Sequence, residues 1–334
     1  MGNPIPTTSP SFANVVWHGK FVAMLMPMLL LLSCSHNNTT NNNPIQGFVP
    51  PNNCLNQIIA IKDSSSAIAT NFNQVINVSS LDRTTGNTFS AFNTITGAID
   101  PYDHQSCIIN NTLYFLLRNN AAPGSILKTV DLTTQLPNDI LLPNWYLSYL
   151  VYQTGTGIFY ARSHYASGDS LAAFNLSGNT VTNFHNLVGI PADVNAITIN
   201  QNNGKIYLSS GTTVAHLQVY NNTTLTELAL SDNSALLYGL RYSSNNNALY
   251  AFSTNTMFKI DAANGTRTAL INFPRTINHT FYGAAIDDCN NQIIISSFMN
   301  NAADSGMLMV YDFAAAKMAT YYLPAYCYMA ITIK

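Results

Sequence analysis

The densest grouping of chemically active side chains is Asp100, Asp103 and His104, within the stretch IDPYDHQS. A carboxylate beside an imidazole is the pairing used in general acid–base catalysis. Two carboxyl groups across a cleft serve glycoside hydrolysis. An enzyme built on this chain would therefore be a hydrolase or lyase acting on polysaccharide, with Asp103 and His104 as the participants. The second group is aromatic. Tyr102, Trp145, Tyr146, Tyr238, Tyr282 and Tyr326 occur where the chain enters successive strand-like segments, with His104, Asp193 and Arg241 among them. Rings placed together in this way can stack on a sugar or an apolar ligand, while the polar groups fix its orientation. The expected ligand-binding set is Tyr102, His104, Trp145, Tyr146, Tyr238, Arg241 and Tyr282.

Other chemistries find no support in the residue spacing. The five cysteines, Cys34, Cys54, Cys107, Cys289 and Cys327, include no close pair, and HExxH is absent, so no metal site is expected. Asp287-Asp288 with Asn290-Asn291 could offer oxygen ligands to calcium, but a turn between strands is the expected role. GxSxG, the phosphate-binding loop and the dinucleotide fingerprint are missing, and no cofactor is expected. Charged residues make up 8% of the chain and the net charge is −2. No basic field exists to draw a phosphate backbone, so nucleic acid is not an expected partner.

The elements that position these residues follow from composition and repetition. Glu227 is the only glutamate, and Asn, Thr and Ser take most polar positions. Long helices carry Glu, Lys, Arg and Ala on their wet faces, whereas abundant Thr, Val, Ile, Tyr and Phe between Asn and Gly clusters favours strands and turns. Six segments share an apolar strand after an Asn- or Gly-rich turn: QIIAI from Gln57, NTLYF from Asn111, GIFYA from Gly157, KIYLS from Lys205, ALYAF from Ala248 and QIIIS from Gln292. A second marker follows each, an apolar strand ending in Asp or Asn: Asp82, Asp131, Asn175, Asn221, Asp261 and Asp312, spaced by 40 to 51 residues. The Asp or Asn side chain bonds backbone N–H groups of the next turn. Two markers with one period describe a unit of four short strands, which is a β-propeller blade. The fold expected is all-β: a single β-propeller of six four-stranded blades, its ring closed by the C-terminal strand YCYMAITI. A seventh blade follows if IQGFVPP is itself a strand. The units resemble bacterial propellers of the broad YVTN and quinoprotein-like class. The Trp-Asp of WD40 repeats, the kelch glycine pair and the sialidase Asp box are absent, and with two tryptophans the docking motifs of quinone-dependent dehydrogenases are absent too.

The N-terminus reads as an address. Phe21 to Leu32, FVAMLMPMLLLL, is 12 residues long and follows Lys20. A membrane-spanning helix needs about 20 residues, so this layout is that of a signal peptide. The segment before Lys20 is long and nearly uncharged for an n-region. Leu31-Leu32-Ser33-Cys34 resembles the lipobox of bacterial lipoproteins of the kind common in Bacteroidetes. The resemblance implies cleavage before Cys34 and lipidation of that cysteine, and several acyl chains anchor a protein stably. The Asn- and Pro-rich stretch after Cys34 cannot bury apolar area and reads as a tether. The expected organisation is 1–33 signal peptide, 34–53 lipidated cysteine and tether, and 54–334 propeller. The expected location is the bacterial cell envelope, as an outer-membrane lipoprotein on the periplasmic face or the cell surface. The expected role is a non-enzymatic, monomeric ligand-binding or protein-interaction scaffold, anchored in the membrane by its lipid. Its partner would be a glycan, a peptide or another envelope protein. Four cysteines remain in an oxidising compartment, and Cys54–Cys289 is the favoured bridge, because both sit at equivalent turns of blades that become neighbours when the ring closes. Asp169-Ser170-Leu171 resembles the short O-glycosylation motif of Bacteroidetes.

Overall fold

A computed structural model describes residues 57–63, 74–81, 88–97, 105–118, 124–165, 168–191, 193–274, 277–299, 302–324 and 328–334. The expected signal peptide, Cys34, the tether, the segment IQGFVPP and Cys54 lie outside the described residues.

The described strands form six antiparallel sheets of four. Blade one begins with β1 (Ile58–Asp63), β2 (Gln74–Leu81) and β3 (Thr88–Gly97). Blade two is β4 (Ser106–Ile109), β5 (Thr112–Arg118), β6 (Gly124–Asp131) and β7 (Pro137–Pro143). Blade three is β8 (Tyr146–Gln153), β9 (Ile158–Tyr165), β10 (Gly168–Ser177) and β11 (Thr180–Ile190). Blade four is β12 (Val194–Ile199), β13 (Ile206–Ser210), β14 (His216–Asn221) and β15 (Thr224–Glu227). Blade five is β16 (Tyr238–Ser243), β17 (Ala248–Phe252), β18 (Thr256–Asp261) and β19 (Arg267–Asn272). Blade six is β20 (Ile277–Asp287), β21 (Gln292–Met299), β22 (Ala302–Asp312) and β23 (Lys317–Pro324). The last strand, β24 (Tyr328–Ile333), returns to blade one as its innermost strand. It pairs antiparallel with β1, Ile333 opposite Ile58 and Ile331 opposite Ala60. Chain start and chain end thus share one sheet, and the ring closes as expected from the sequence.

Each second strand reads as a continuous apolar run because both of its faces are buried. Ile59 and Ile61 of β1 enter the core shared with Leu113, Phe115 and Leu117 of blade two. Ile58 and Ala60 enter the core shared with Ile294, Leu308 and Val310 of blade six. The same division holds around the ring, giving one apolar core between each pair of neighbouring blades. At about 25 cal/mol per Å² of apolar area removed from water, these interfaces are the main favourable contribution to folding.

The polar residues of the repeat make turns. Asn110 and Asn111 both have positive φ between β4 and β5, as a two-residue hairpin with the right twist requires. Asn247 and Asn291 hold the same left-handed conformation in blades five and six. At the second marker, Asp131 Oδ1 accepts hydrogen bonds from the backbone N–H groups of Thr133 and Thr134, both at 2.8 Å. Asp261 Oδ1 accepts from Ala263 N at 2.7 Å, and Asp312 Oδ1 from Ala315 N at 2.6 Å. Where a helix-rich protein would place charged residues on wet faces, this chain places short polar side chains at chain reversals.

Candidate functional site

The propeller has two rims. At the leading rim the chain enters each innermost strand, and the turns between second and third strands reach the same level. At the trailing rim lie the turns that join first strands to second strands. An axial cavity of about 260 Å³ is lined by all six innermost strands.

Polar side chains around this cavity bond the open edges of the innermost strands. Arg241 of β16 donates from Nε to the carbonyl of Ala284 in blade six and from Nη1 to its neighbour Leu240, both at 2.8 Å. The amide of Gln105, before β4, donates to the carbonyl of Ile197 in blade four, past the intervening blade three. Gln105 is 7% exposed, and its Oε1 and the hydroxyl of Ser106 have no partner among the described residues. Thr198 Oγ1 accepts from the backbone N–H of Tyr242 at 3.0 Å and ties blade four to blade five. An unpaired strand edge inside a protein leaves backbone groups without water, and these side chains answer that need. Cys107 also lines the cavity, and burial pushes its thiol up to about 12, so it stays protonated and unreactive.

Toward the trailing rim the contacts between blades are more extensive. Asp288 accepts from Ser243 Oγ at 2.5 Å and from Ser244 N at 3.0 Å, both in blade five. Its own carbonyl accepts from Asn245. Asp287 and Asn290 bond each other, Asn290 N to Asp287 Oδ1 at 3.1 Å and Asn290 Nδ2 to Asp287 Oδ2 at 2.7 Å. The DDCNN stretch is therefore a turn and an interblade clamp, with both of its carboxylates bonded by protein N–H and O–H groups. In blade four, Gln201 makes the equivalent clamp to blade three, accepting from Thr154 N at 3.0 Å and donating to Tyr152 O at 2.6 Å.

At the leading rim the residues named from sequence divide. Trp145 stacks on Phe184 with ring centroids 3.9 Å apart and belongs to the core between blades two and three. Tyr238 is half-buried against the core between blades five and six, and burial pushes its phenol up. Arg241 faces the cavity, and the backbone of Asp193 accepts from Gly211 N at 2.9 Å. Tyr146 remains at the surface, 40% exposed. Asp100, Tyr102, Asp103, His104 and Tyr326 lie outside the described residues, as does the side chain of Tyr282.

Tyr146 has neighbours the sequence reading did not assemble. In β8 it stands directly opposite His164 of β9. His164 in turn stands opposite Asp169 of β10. The three form one row across the end of blade three, on the face toward blade four, where Leu171 and Ala173 pack against Ile197 and Leu208. His164 Nδ1 lies 2.6 Å from Asp169 Oδ1. A carboxylate can only accept, so Nδ1 carries a proton, and in the neutral ring the lone pair then lies on Nε2. The His164 side chain is 61% exposed and that of Asp169 is 5% exposed. Arg162 Nε lies 2.7 Å from Asp169 Oδ2. That contact is an ion pair without hydrogen-bond alignment, since neither atom has a hydrogen-bonded partner among the described residues. A buried, charge-neutral Arg162–Asp169 pair thus holds an exposed imidazole beside an exposed tyrosine ring. The signal was present in the sequence: within RSHYASGDS, pairing of Tyr165 with Gly168 sets His164 opposite Asp169.

No family model and no curated protein matches the chain. Among solved structures it is similar to TolB from Acinetobacter baumannii, with a TM-score of 0.58 at 10% identity over 83% of this chain. The chain spans 66% of that protein's length. It is also similar to a protein from Lactobacillus plantarum, with a TM-score of 0.50 at 10% identity, covering 83% of this chain and 99% of the other. At such identities the likeness concerns the propeller fold.

Proposed function

We propose that the protein is a lipid-anchored propeller of the bacterial cell envelope that binds a ligand or partner at its leading rim. The observation that carries the binding part is the row Tyr146–His164–Asp169. Aromatic rings in this fold are consumed by the cores between blades, as Trp145 and Phe184 are. Tyr146 is instead presented to solvent, directly opposite an exposed imidazole whose orientation is set by a buried carboxylate. Holding a polar group still before a ligand arrives lowers the ordering cost of binding. The TolB-like fold accords with a scaffold role, since propellers offer broad rims on a rigid ring.

The anchoring part rests on the leader sequence. Cleavage before Cys34, lipidation of that residue, and a tether to residue 53 would stand a monomeric propeller clear of the outer membrane. The test has two arms. Cells expressing the full chain are labelled with radioactive palmitate, and Cys34→Ser is expected to abolish both label and membrane association. Full-length protein is also screened by thermal shift against glycans, peptides and envelope extracts, where a binder of the folded state raises the midpoint. Retention of label by Cys34→Ser would refute the anchor. Absence of any shift or captured partner would refute the binding role.

A further inference from the structure

We infer that the row on blade three is a subsite for a neutral carbohydrate. The inference rests on the binding role proposed above and names its ligand class. Two observations bear on the chemistry of this row. Tyr146 lies on β8, the edge strand of its sheet, with His164 and Asp169 on the two strands behind it, so the three side chains stand on the sheet face, and the peptide probe below tests strand addition at that edge. Arg162 and Asp169 neutralise each other at contact and are both shielded, their side chains 15% and 5% exposed. No uncompensated charge of this cluster therefore faces a charged ligand. The surface groups that remain are a phenol ring, its hydroxyl and an imidazole edge, which offer an apolar face and hydrogen-bonding atoms side by side.

A pyranose ring matches that surface. One of its faces is rich in C–H groups and lies against an aromatic ring, while its hydroxyls both donate and accept. Tyr146 supplies the ring, and His164 Nε2 supplies an acceptor beside it. Asp169 acts as a positioning residue: it fixes the tautomer through Nδ1 and does not itself reach the ligand. Arg162 Nε lies against the other carboxylate oxygen of Asp169, away from His164. On blade four, Ser210 lies on the face toward blade three, two residues beyond Leu208, and its buried hydroxyl has no partner among the described residues.

The test is isothermal titration calorimetry on the full chain. Cellotetraose, mannotetraose, chitotetraose, tetragalacturonate and a tetra-alanine peptide are titrated in turn. At least one neutral tetrasaccharide is expected to show saturable binding. Tyr146→Ala and His164→Ala, both at exposed positions, should each weaken it by about tenfold, while Tyr146→Phe keeps the stacking face and most of the affinity. A response confined to tetragalacturonate or to the peptide would overturn the carbohydrate assignment while leaving the binding role standing. Saturation by a neutral sugar that is unchanged in both alanine variants would overturn the site. Silence from every probe, with an envelope protein captured in the screen above, would also overturn the carbohydrate assignment and leave the binding role intact.

Discussion

Replacing Asp288 with alanine should destabilise the propeller far more than replacing any carboxylate that serves a turn within one blade. The carboxylate of Asp288 accepts from Ser243 Oγ at 2.5 Å and from Ser244 N at 3.0 Å, across the boundary between blades six and five. Ser243 is fully buried, and its hydroxyl already accepts from Asn246 N at 3.2 Å and from Asn246 Nδ2 at 3.1 Å. Its own proton has no other acceptor once the carboxylate is gone. A hydrogen bond to a charged group contributes about 1.5–3 kcal/mol, the orphaned Ser243 donor is part of that same loss, and the bond to partly exposed Ser244 adds less, so a loss of about 2–4 kcal/mol is expected. An unfolding entropy of about 2.1 cal/mol/K per residue over ~280 residues is about 0.6 kcal/mol/K, which converts that loss to a fall in Tm of about 3–7 °C. Differential scanning calorimetry on wild type, Asp288→Ala and Asp131→Ala provides the comparison. Asp131 also accepts two hydrogen bonds, both from backbone N–H groups, but at an exposed turn inside blade two. A shift for Asp288→Ala no larger than that for Asp131→Ala would refute the argument that contacts between blades carry the excess.

Gly239 has φ of +58°, and a Cβ there would lie 1.8 Å from the ring of Phe252; Gly239→Ala should cost about 2–4 kcal/mol in chemical denaturation through overpacking and backbone strain. The backbone hydrogen bonds of Thr134 and Thr133 hold the Asp131 carboxyl below its usual 3.8. Its contribution is therefore present above pH 3.8 and is lost as pH falls through the lower folded value, so the Tm difference between wild type and Asp131→Ala should be constant at neutral pH and shrink on acidification below about pH 4. Cys107, its thiol pushed up to about 12, should resist iodoacetamide in native protein at pH 8 and react only after unfolding, as peptide-level mass spectrometry will read. Cys289 is disulfide-bonded and Cys107 is free; non-reducing peptide mapping should find Cys289 joined to Cys54, and reduction should lower stability by about 3–5 kcal/mol, as expected for a bridge that closes a long loop.

The architecture was legible because a blade is a local object. An apolar run such as QIIIS, buried on both faces, and an Asp that bonds the next two or three N–H groups depend only on residues close in the chain. Six repeats of that pattern, with a partnerless strand at the end, imply a ring and its closure. In unit five the apolar run ALYAF is β17 and the strand ending at Asp261 is β18. The rim residues were partly legible for the same reason. Their approximate level follows from the order of strands and loops, so Tyr146 could be placed at the leading rim without coordinates.

What a side chain meets at that rim depended on strand register and on the neighbouring blade. Trp145 and Tyr146 are adjacent in sequence, yet one ring stacks on Phe184 within a core and the other faces water. Alternation along a strand separates them, and only the packing of blade two against blade three says which face is covered. Arg241, expected to contact ligand, meets the carbonyl of Ala284 because the innermost strand of blade six leaves that edge open. Gln105 reaches Ile197 across the axis, a contact spanning 92 residues that no local pattern encodes. The sequence by itself determined the strands and turns of six units, with a seventh left open, because those rest on periodicity and backbone preference. The tertiary structure alone decided which polar groups are used up between blades and which remain for a ligand, because burial is a property of neighbours brought together by the closed ring.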